Sequence, residues 1–264
     1  DRLGVKPDMA AGHSYGELVA LTLAGVIDEN DLLDLSERRG QCILEATGAD
    51  PGTMAAVKAG AYEVEQALVD VDNVVVANRN SPTQTVISGG TAAIESAVNQ
   101  LQVAGLRARS IPVACAFHSP LVELAKEYFG GYLSSLDFGA PAFPVWSNTT
   151  AEMYPSDEDG IIDLLAEHVV QPVRFVDQIE AMYAAGARTF IECGPGRVMS
   201  GLVGQILGDR PHTTIATDQS GTNGLVTLMN AIAQMATHGL PVEPAYLYKG
   251  RDVVQIDLAD PPDT

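Results

Sequence analysis

The sequence predicts an α/β fold in two parts: a large subdomain built on a parallel sheet, and a small subdomain inserted into it. Three observations carry this reading. Short apolar runs alternate with helix-forming stretches along most of the 264 residues, the pattern of a sheet covered by helices. Gly12-x-Ser14-x-Gly16 stands between an apolar segment ending in MAAG and a helix-like run, as in the strand-to-helix elbow that lifts a serine hydroxyl to the edge of a hydrolase-like sheet. From residue 53 to 113 the order is strand, helix, strand, strand, helix, strand, a split βαβ, ferredoxin-like unit.

In chain order, residues 17–24 are good helix formers, and 28–46 read as a second helix with apolar positions at Leu32, Leu35, Ile43 and Leu44. Gly48, Pro51 and Gly52 end it. TMAAVKA, NVVVANRN, QTVISGG and RARSIPV are the strands of the small unit, with YEVEQALV and TAAIESAVNQLQVAG as its helices. Beyond it, HSPLVELAKEYFGGYLSSL is helical, PVWSN a short strand, and GIIDLLAEHVV and VRFVDQIEAMYAAG helices. TFIECG reads as a buried strand ending in glycine, and NGLVTLMNAIAQMATHG as a last helix. The expected division is therefore 1–52 with 114–250 for the large subdomain, 53–113 for the small one, and 251–264 as a linker.

Composition limits the partners. With 34 acidic and 15 basic residues the net charge is -19, which repels a phosphate backbone, so nucleic acid is excluded as an expected partner. An anionic substrate would need a local cation to overcome that field. Three cysteines, Cys42, Cys115 and Cys193, form no C-x-x-C pair and suit a reduced compartment. No apolar run is long enough to span a membrane, and the start, DRLGVKPDM, lacks the regions of a signal peptide. A cytoplasmic protein without membrane contact is expected. Neither a metal nor a bound cofactor is expected, because no H-E-x-x-H, G-x-x-x-x-G-K or phosphate-cradling G-x-G-x-x-G occurs. The acidic DEDG lacks the alternating ligands of a calcium loop.

Serine is a poor nucleophile without a base. Of the five histidines, His118 follows the strand-like ACAF and precedes Ser119-Pro120 and a helix, and strand ends are where sites collect. His212 and His238 lie in polar, surface-like surroundings, and the side chain of His13, adjacent to Ser14, should diverge from it in the elbow. The backbone N–H of Tyr15, at the start of the helix, is a candidate oxyanion donor. Two other readings stay open. One is a serine esterase or thioesterase of the α/β-hydrolase type, with the order Ser14, Asp218, His238. The other is a docking domain without turnover.

GHSYGE, SERRGQC, NSPTQTVISGG, CAFHSPL, VWSN, QPVRF and IECGPGRVMSGL occur in this order. Together they resemble the acyltransferase domain of polyketide and fatty-acid synthases, the malonyl-CoA:acyl-carrier-protein transacylase family, from residue 1 to about 240. The likeness points to a bacterial polyketide synthase, iterative enediyne-type synthases included. It implies that Ser14 is acylated, that His118 is the general base, and that Arg39, ahead of Gly40, pairs with the free carboxylate of a malonyl group. It further implies that the backbone carbonyl of His168, ahead of Pro172, orients the base; relatives usually carry asparagine or glutamine there. Phe117, in the AFH form of its segment, implies malonyl rather than methylmalonyl, and His13 is implied to lie near the acyl group. Asn148 and the IECGPG stretch match as structural residues. Malonyl-CoA is the implied substrate, and the implied partners are the phosphopantetheine arm of an acyl carrier protein and neighbouring synthase domains. The resemblance also implies a preceding segment, with a Gly-Gln-Gly glutamine as second oxyanion donor, that this sequence does not include.

Overall fold

In the computed structural model, which describes residues 3–252 and residue 259, the chain enters on strand β1 (Ala10–Ala11), turns through the elbow and runs into helix α1 (Gly16–Leu23). Most of the expected linker, 251–264, lies outside the described residues. Gly12 is required at the elbow. A Cβ on it would lie 1.9 Å from the carbonyl carbon of Gly16 and 2.1 Å from the nitrogen of Glu17, so helix backbone fills the place of a side chain. Gly16 carries no such constraint, because a Cβ there meets nothing within 4 Å.

Helix α2 (Leu32–Ala46) buries Leu35, Arg39, Cys42 and Ile43, a single stripe at helical spacing. It begins later than the sequence suggested: the Asp28 carboxylate accepts from the Asn30 N–H at 2.8 Å, and such a local turn competes with helix.

The inserted unit comprises β2 (Thr53–Val57), α3 (Ala61–Ala67), β3 (Val74–Ser81), β4 (Gln84–Gly89), α4 (Thr91–Val103) and β5 (Ala108–Ile111). Its four strands form an antiparallel sheet in the order β3-β4-β2-β5, the ferredoxin-like arrangement. Strand periodicity sorts its two faces. Ala55, Val57 and Ile87 pack under Val64, Ile94 and Leu101 of the helices. Met54, Ala77 and Val86 form a separate cluster with Ile111, Val113 and Phe117.

The chain then runs through a 3-10 turn, Pro120–Val122, into α5 (Glu123–Leu133), so the expected single helix over 118–136 is two pieces. Strand β6 (Val145–Trp146) pairs in parallel with β1. Helices α6 (Glu158–His168) and α7 (Phe175–Ala184) lead to β7 (Thr189–Glu192), which pairs in parallel with β8 (Thr213–Ala216). Two elements were not foreseen. Helix α8 (Val198–Leu207) contains Gly201 and Gly204, which weaken its helical signal, and β8 is only four residues long. The 189–194 segment, expected to be a buried strand, is half-buried along all of β7. Helix α9 (Gly224–Thr237) closes the large body, whose main core joins Leu18, Leu21, Leu35, Phe129 and Leu165.

The two bodies meet through the backbone. Val173 donates its N–H to Ala77 O at 2.8 Å and accepts from the Arg79 N–H at 2.9 Å, so β3 takes a short parallel partner from the large body. Ser81 Oγ adds a bond to Gln205 Oε1 at 2.7 Å.

The motif glycines should part company on mutation. Gly12→Ala forces backbone apart and should cost more than about 3 kcal/mol in denaturant unfolding, whereas Gly16→Ala should be neutral or stabilise by up to about 1 kcal/mol. Equal effects would contradict the packing described here.

Candidate active site

Ser14 has φ +50, in the left-handed region, where a residue other than glycine bears about 1–3 kcal/mol of strain and stays only if its surroundings enforce it. The enforcement comes from Asn148, buried two residues past the end of β6. Its Oδ1 accepts from the Ser14 N–H at 2.6 Å, while its Nδ2 donates to Gly12 O at 2.9 Å and to Gln178 Oε1 at 2.7 Å. One amide thus grips the two peptide groups that flank His13, immediately ahead of Ser14. Gln178, on the buried face of α7, donates in turn to Trp146 O at 2.8 Å. The Asn148 N–H donates to Glu17 Oε1, and the Tyr154 hydroxyl donates to Glu17 Oε2. Glu17 is completely buried in the first turn of α1, and that burial pushes its carboxyl up to about 8.

Ser14 Oγ lies 2.7 Å from His118 Nε2, although the two residues stand 104 apart in sequence. His118 follows β5 on an irregular segment, is 3% exposed and also has positive φ, +55. Behind it, Ser119 Oγ donates to Ala116 O at 2.7 Å and accepts from the Leu121 N–H, capping the 3-10 turn. His118 Nδ1 sits 2.9 Å from Gln171 O. Since a carbonyl only accepts, the proton belongs on Nδ1, and Nε2 is left free to take the serine proton. Burial, with the charge of Arg39 second, pushes His118 down to about 3, so the ring is a neutral acceptor through the physiological range.

Here the structure corrects the sequence reading. The carbonyl on Nδ1 is that of Gln171, immediately before Pro172, while the His168 carbonyl acts more weakly in the same direction. Helix α6 ends at His168, and a turn in which Val170 and Gln171 both donate to Glu167 O brings the later carbonyl to the ring.

Arg39 is 8% exposed, its Nε is buried without a hydrogen-bond partner, and among the described residues its guanidinium forms no ion pair. Arg38, one position along α2, points to the exposed face and pairs with Glu45 at 3.4 Å. A buried cation with no counter-charge is costly, and burial lowers the pKa of Arg39 while Glu17 opposes the shift. The group lacks an anion, and a ligand can supply one.

The remaining candidates lie around this centre. His13 Nε2 is 2.7 Å from Asn80 Oδ1 of β3, its ring is edge-on to Phe175 at 5.3 Å, and burial lowers its pKa. Phe117 is half-buried and packs against both the main core and the small-sheet cluster. The Tyr15 N–H, at the start of α1, has no acceptor among the described residues. The rival order is not assembled: Asp218 Oδ2 accepts from the Gly196 N–H at 2.8 Å, and His238 lies exposed at the end of α9. Glu17, Tyr154 and Gln178 escaped the sequence reading. One signal was available for the first, a lone carboxyl amid the apolar positions of α1.

Fold and site together define a serine-centred α/β protein with a ferredoxin-like insertion. The family described as the acyl transferase domain matches residues 2–240, and this chain belongs to it. The chain is 37% identical over 248 residues to a polyunsaturated fatty acid synthase polypeptide of Thraustochytrium sp., covering 91% of this chain and 9% of that one. It is 37% identical over 226 residues to the malonyl CoA-acyl carrier protein transacylase of Bacillus subtilis, covering 83% of this chain and 70% of that one. The acyltransferase domain from the second module of the salinomycin polyketide synthase superposes with a TM-score of 0.84 at 34% identity, covering 96% of this chain and 60% of that one. The chain therefore spans under a tenth of the fatty acid synthase polypeptide and about three-fifths of the solved domain.

Two outcomes follow for the buried groups. Labelling of Ser14 by a fluorophosphonate should show no limb near the ordinary imidazole value of about 6.5, because the buried His118 ring takes up a second proton only near 3; a limb at that value would mean a solvated ring. Glu17 has a raised folded pKa, so its contribution to stability is full below its unfolded value of 4.5 and is lost as pH rises through about 8. The melting temperature of Glu17→Gln relative to wild type should therefore climb across that window, and a flat difference would mean the carboxyl is ionised throughout.

Proposed function

We propose that the chain transfers a malonyl group from malonyl-CoA to the phosphopantetheine thiol of an acyl carrier protein, through an ester on Ser14. The observation that carries this is the 2.7 Å contact between Ser14 Oγ and a neutral, carbonyl-anchored His118, a ring close enough to the buried Arg39 to feel its charge. The name of the Bacillus subtilis relative, a malonyl CoA-acyl carrier protein transacylase, supports the donor and the acceptor.

The malonyl carboxylate pairs with Arg39, whose planar fork can form two parallel hydrogen bonds to it. Ser14 Oγ attacks the thioester carbonyl while Nε2 of His118 takes its proton, and the Tyr15 N–H stabilises the oxyanion. The C–S bond breaks, and His118 Nε2 gives the proton to the departing sulfur, so coenzyme A leaves as the thiol and the imidazole is neutral again. The carrier thiol then gives a proton to His118 and attacks the ester, and the serine oxygen recovers the proton as the new thioester forms. Two half-reactions at one serine give ping-pong kinetics.

Arg39 acts twice in this scheme. Its charge is the second-largest influence depressing His118, so a carboxylate paired with it makes the imidazole a stronger base. An acetyl donor leaves the cation unpaired, and an unsatisfied recognition group can discriminate by about 10⁴. The ring of Phe117 fills the room a 2-methyl branch would need, which favours malonyl over methylmalonyl. His13 borders the acyl group. No bound cofactor takes part. Residues 1–52 with 114–250 and residues 53–113 are the working subdomains, and the cleft between them receives the carrier arm. Among the described residues no helix is long and apolar enough to cross a membrane; the cytoplasm is the proposed location, and polyketide biosynthesis within a longer synthase the proposed setting.

Intact-mass spectrometry after incubation with malonyl-CoA should show a malonyl adduct that is absent in Ser14→Ala. Acetyl-CoA should label at least about a hundredfold more slowly, and Arg39→Ala should erase most of that difference. Equal labelling by the two donors in wild type would remove the role given to Arg39.

A further inference from the structure

His168 is the last residue of α6, 2% exposed, and the reaction as written does not use its side chain. Its ring meets that of His118 edge-to-face, with centroids 5.6 Å apart and planes at 66°. Its Nε2 is buried without a hydrogen-bond partner and lies 3.7 Å from Glu17 Oε1. That is inside contact distance and outside a hydrogen bond. The same carboxyl holds the backbone of Asn148, whose side chain grips the elbow. His168 therefore touches the base on one side and the elbow's anchor on the other.

The base needs such a support. His118 sits on a strained backbone and is tethered through one ring nitrogen to Gln171 O, which leaves the imidazole able to tip about that bond. A misplacement of about 1 Å can cost about a hundredfold in rate. We infer that the His168 imidazole is a positioning residue for the transfer, bracing the His118 ring edge-on and coupling it through Glu17 to the Ser14 elbow. The inference rests on the reading of Ser14 and His118 as the reacting pair.

Neutrality is part of the role. His168 meets the His118 ring on one side and Glu17 of α1 on another, and it feels the charge of Arg39 from α2 and of His13; burial first, then these basic neighbours, hold it well below the ordinary imidazole value. A charged ring there would oppose formation of the His118 imidazolium, whereas an uncharged one supports its position alone.

The test uses the full chain and a fluorophosphonate, which reports the reactivity of the Ser14–His118 pair without any acyl donor. His168→Ala should label about tenfold more slowly, and should show a similar fall in kcat for malonyl transfer at unchanged KM. His168→Gln, which keeps a polar group facing Glu17, should recover most of the rate. Adding Glu17→Gln to His168→Ala should cost less than the two single effects combined, the sign of a shared pathway. If the alanine variant does not fold, His168→Phe keeps the ring volume without the nitrogen and should still label several-fold more slowly, on the order of threefold to tenfold. Labelling at the wild-type rate by the alanine or phenylalanine variant overturns the inference, as do a loss confined to KM and full additivity with Glu17→Gln. Wild-type protein that labels with the probe but accepts no malonyl would sink the proposed function and leave this inference standing.

Discussion

The arrangement depends on holding a serine where serine does not belong. A left-handed φ at Ser14 places the hydroxyl at the rim of β1, and the geometry survives because Asn148 accepts from the Ser14 N–H and donates to the Gly12 carbonyl, pinning the turn that leads into the serine. Every group around that amide is then constrained in turn. Gln178 and Trp146 fix its donor end, while Glu17 fixes its backbone. All are buried, so leaving any member unpaired would carry the desolvation penalty of a lone polar group, about 1–3 kcal/mol. The network thereby converts polar satisfaction into backbone strain at one residue.

The electrostatics of the site follow from burying one cation among weak bases. Arg39 lowers the proton affinity of both His118 and His168, and Glu17 is the acid that most directly offsets it. In a chain with net charge -19, a local positive field of this kind exists only because the counter-charge is withheld. The resting site is thus poised for an anion, and the uncharged imidazoles beside it cost less to bury than charged ones would.

Much of this was legible in the residues. The elbow, the βαββαβ insertion and the long amphipathic helix holding Arg39 are local patterns of two or four residues' period, and such patterns survive without tertiary knowledge. The role of Arg39 came from the resemblance alone; the buried stripe Leu35, Arg39, Cys42, Ile43 differs from the apolar positions read in the sequence, one of which, Leu44, is exposed. Helix α8 and β8 were hidden because glycines and brevity erase periodicity. The orienting carbonyl was misplaced because backbone groups have no letter in a sequence: which carbonyl reaches an imidazole depends on how a helix unwinds at Val169, Val170 and Gln171. The Glu17 network was hidden for a related reason, as its partners Asn148 and Tyr154 come from more than a hundred residues away.

The short backbone ladder between β3 and Val173 links the two bodies at a telling place. Val173 stands two residues after Gln171, whose carbonyl steers the imidazole, and one residue before Arg174, whose N–H donates to the carbonyl of Asn148 at 3.0 Å. The insertion is in this way stitched to the segment whose carbonyl holds the His118 ring. Separating the two bodies would break this ladder and disturb the segment beside it, so the seam between them and the placement of the imidazole form one mechanical unit.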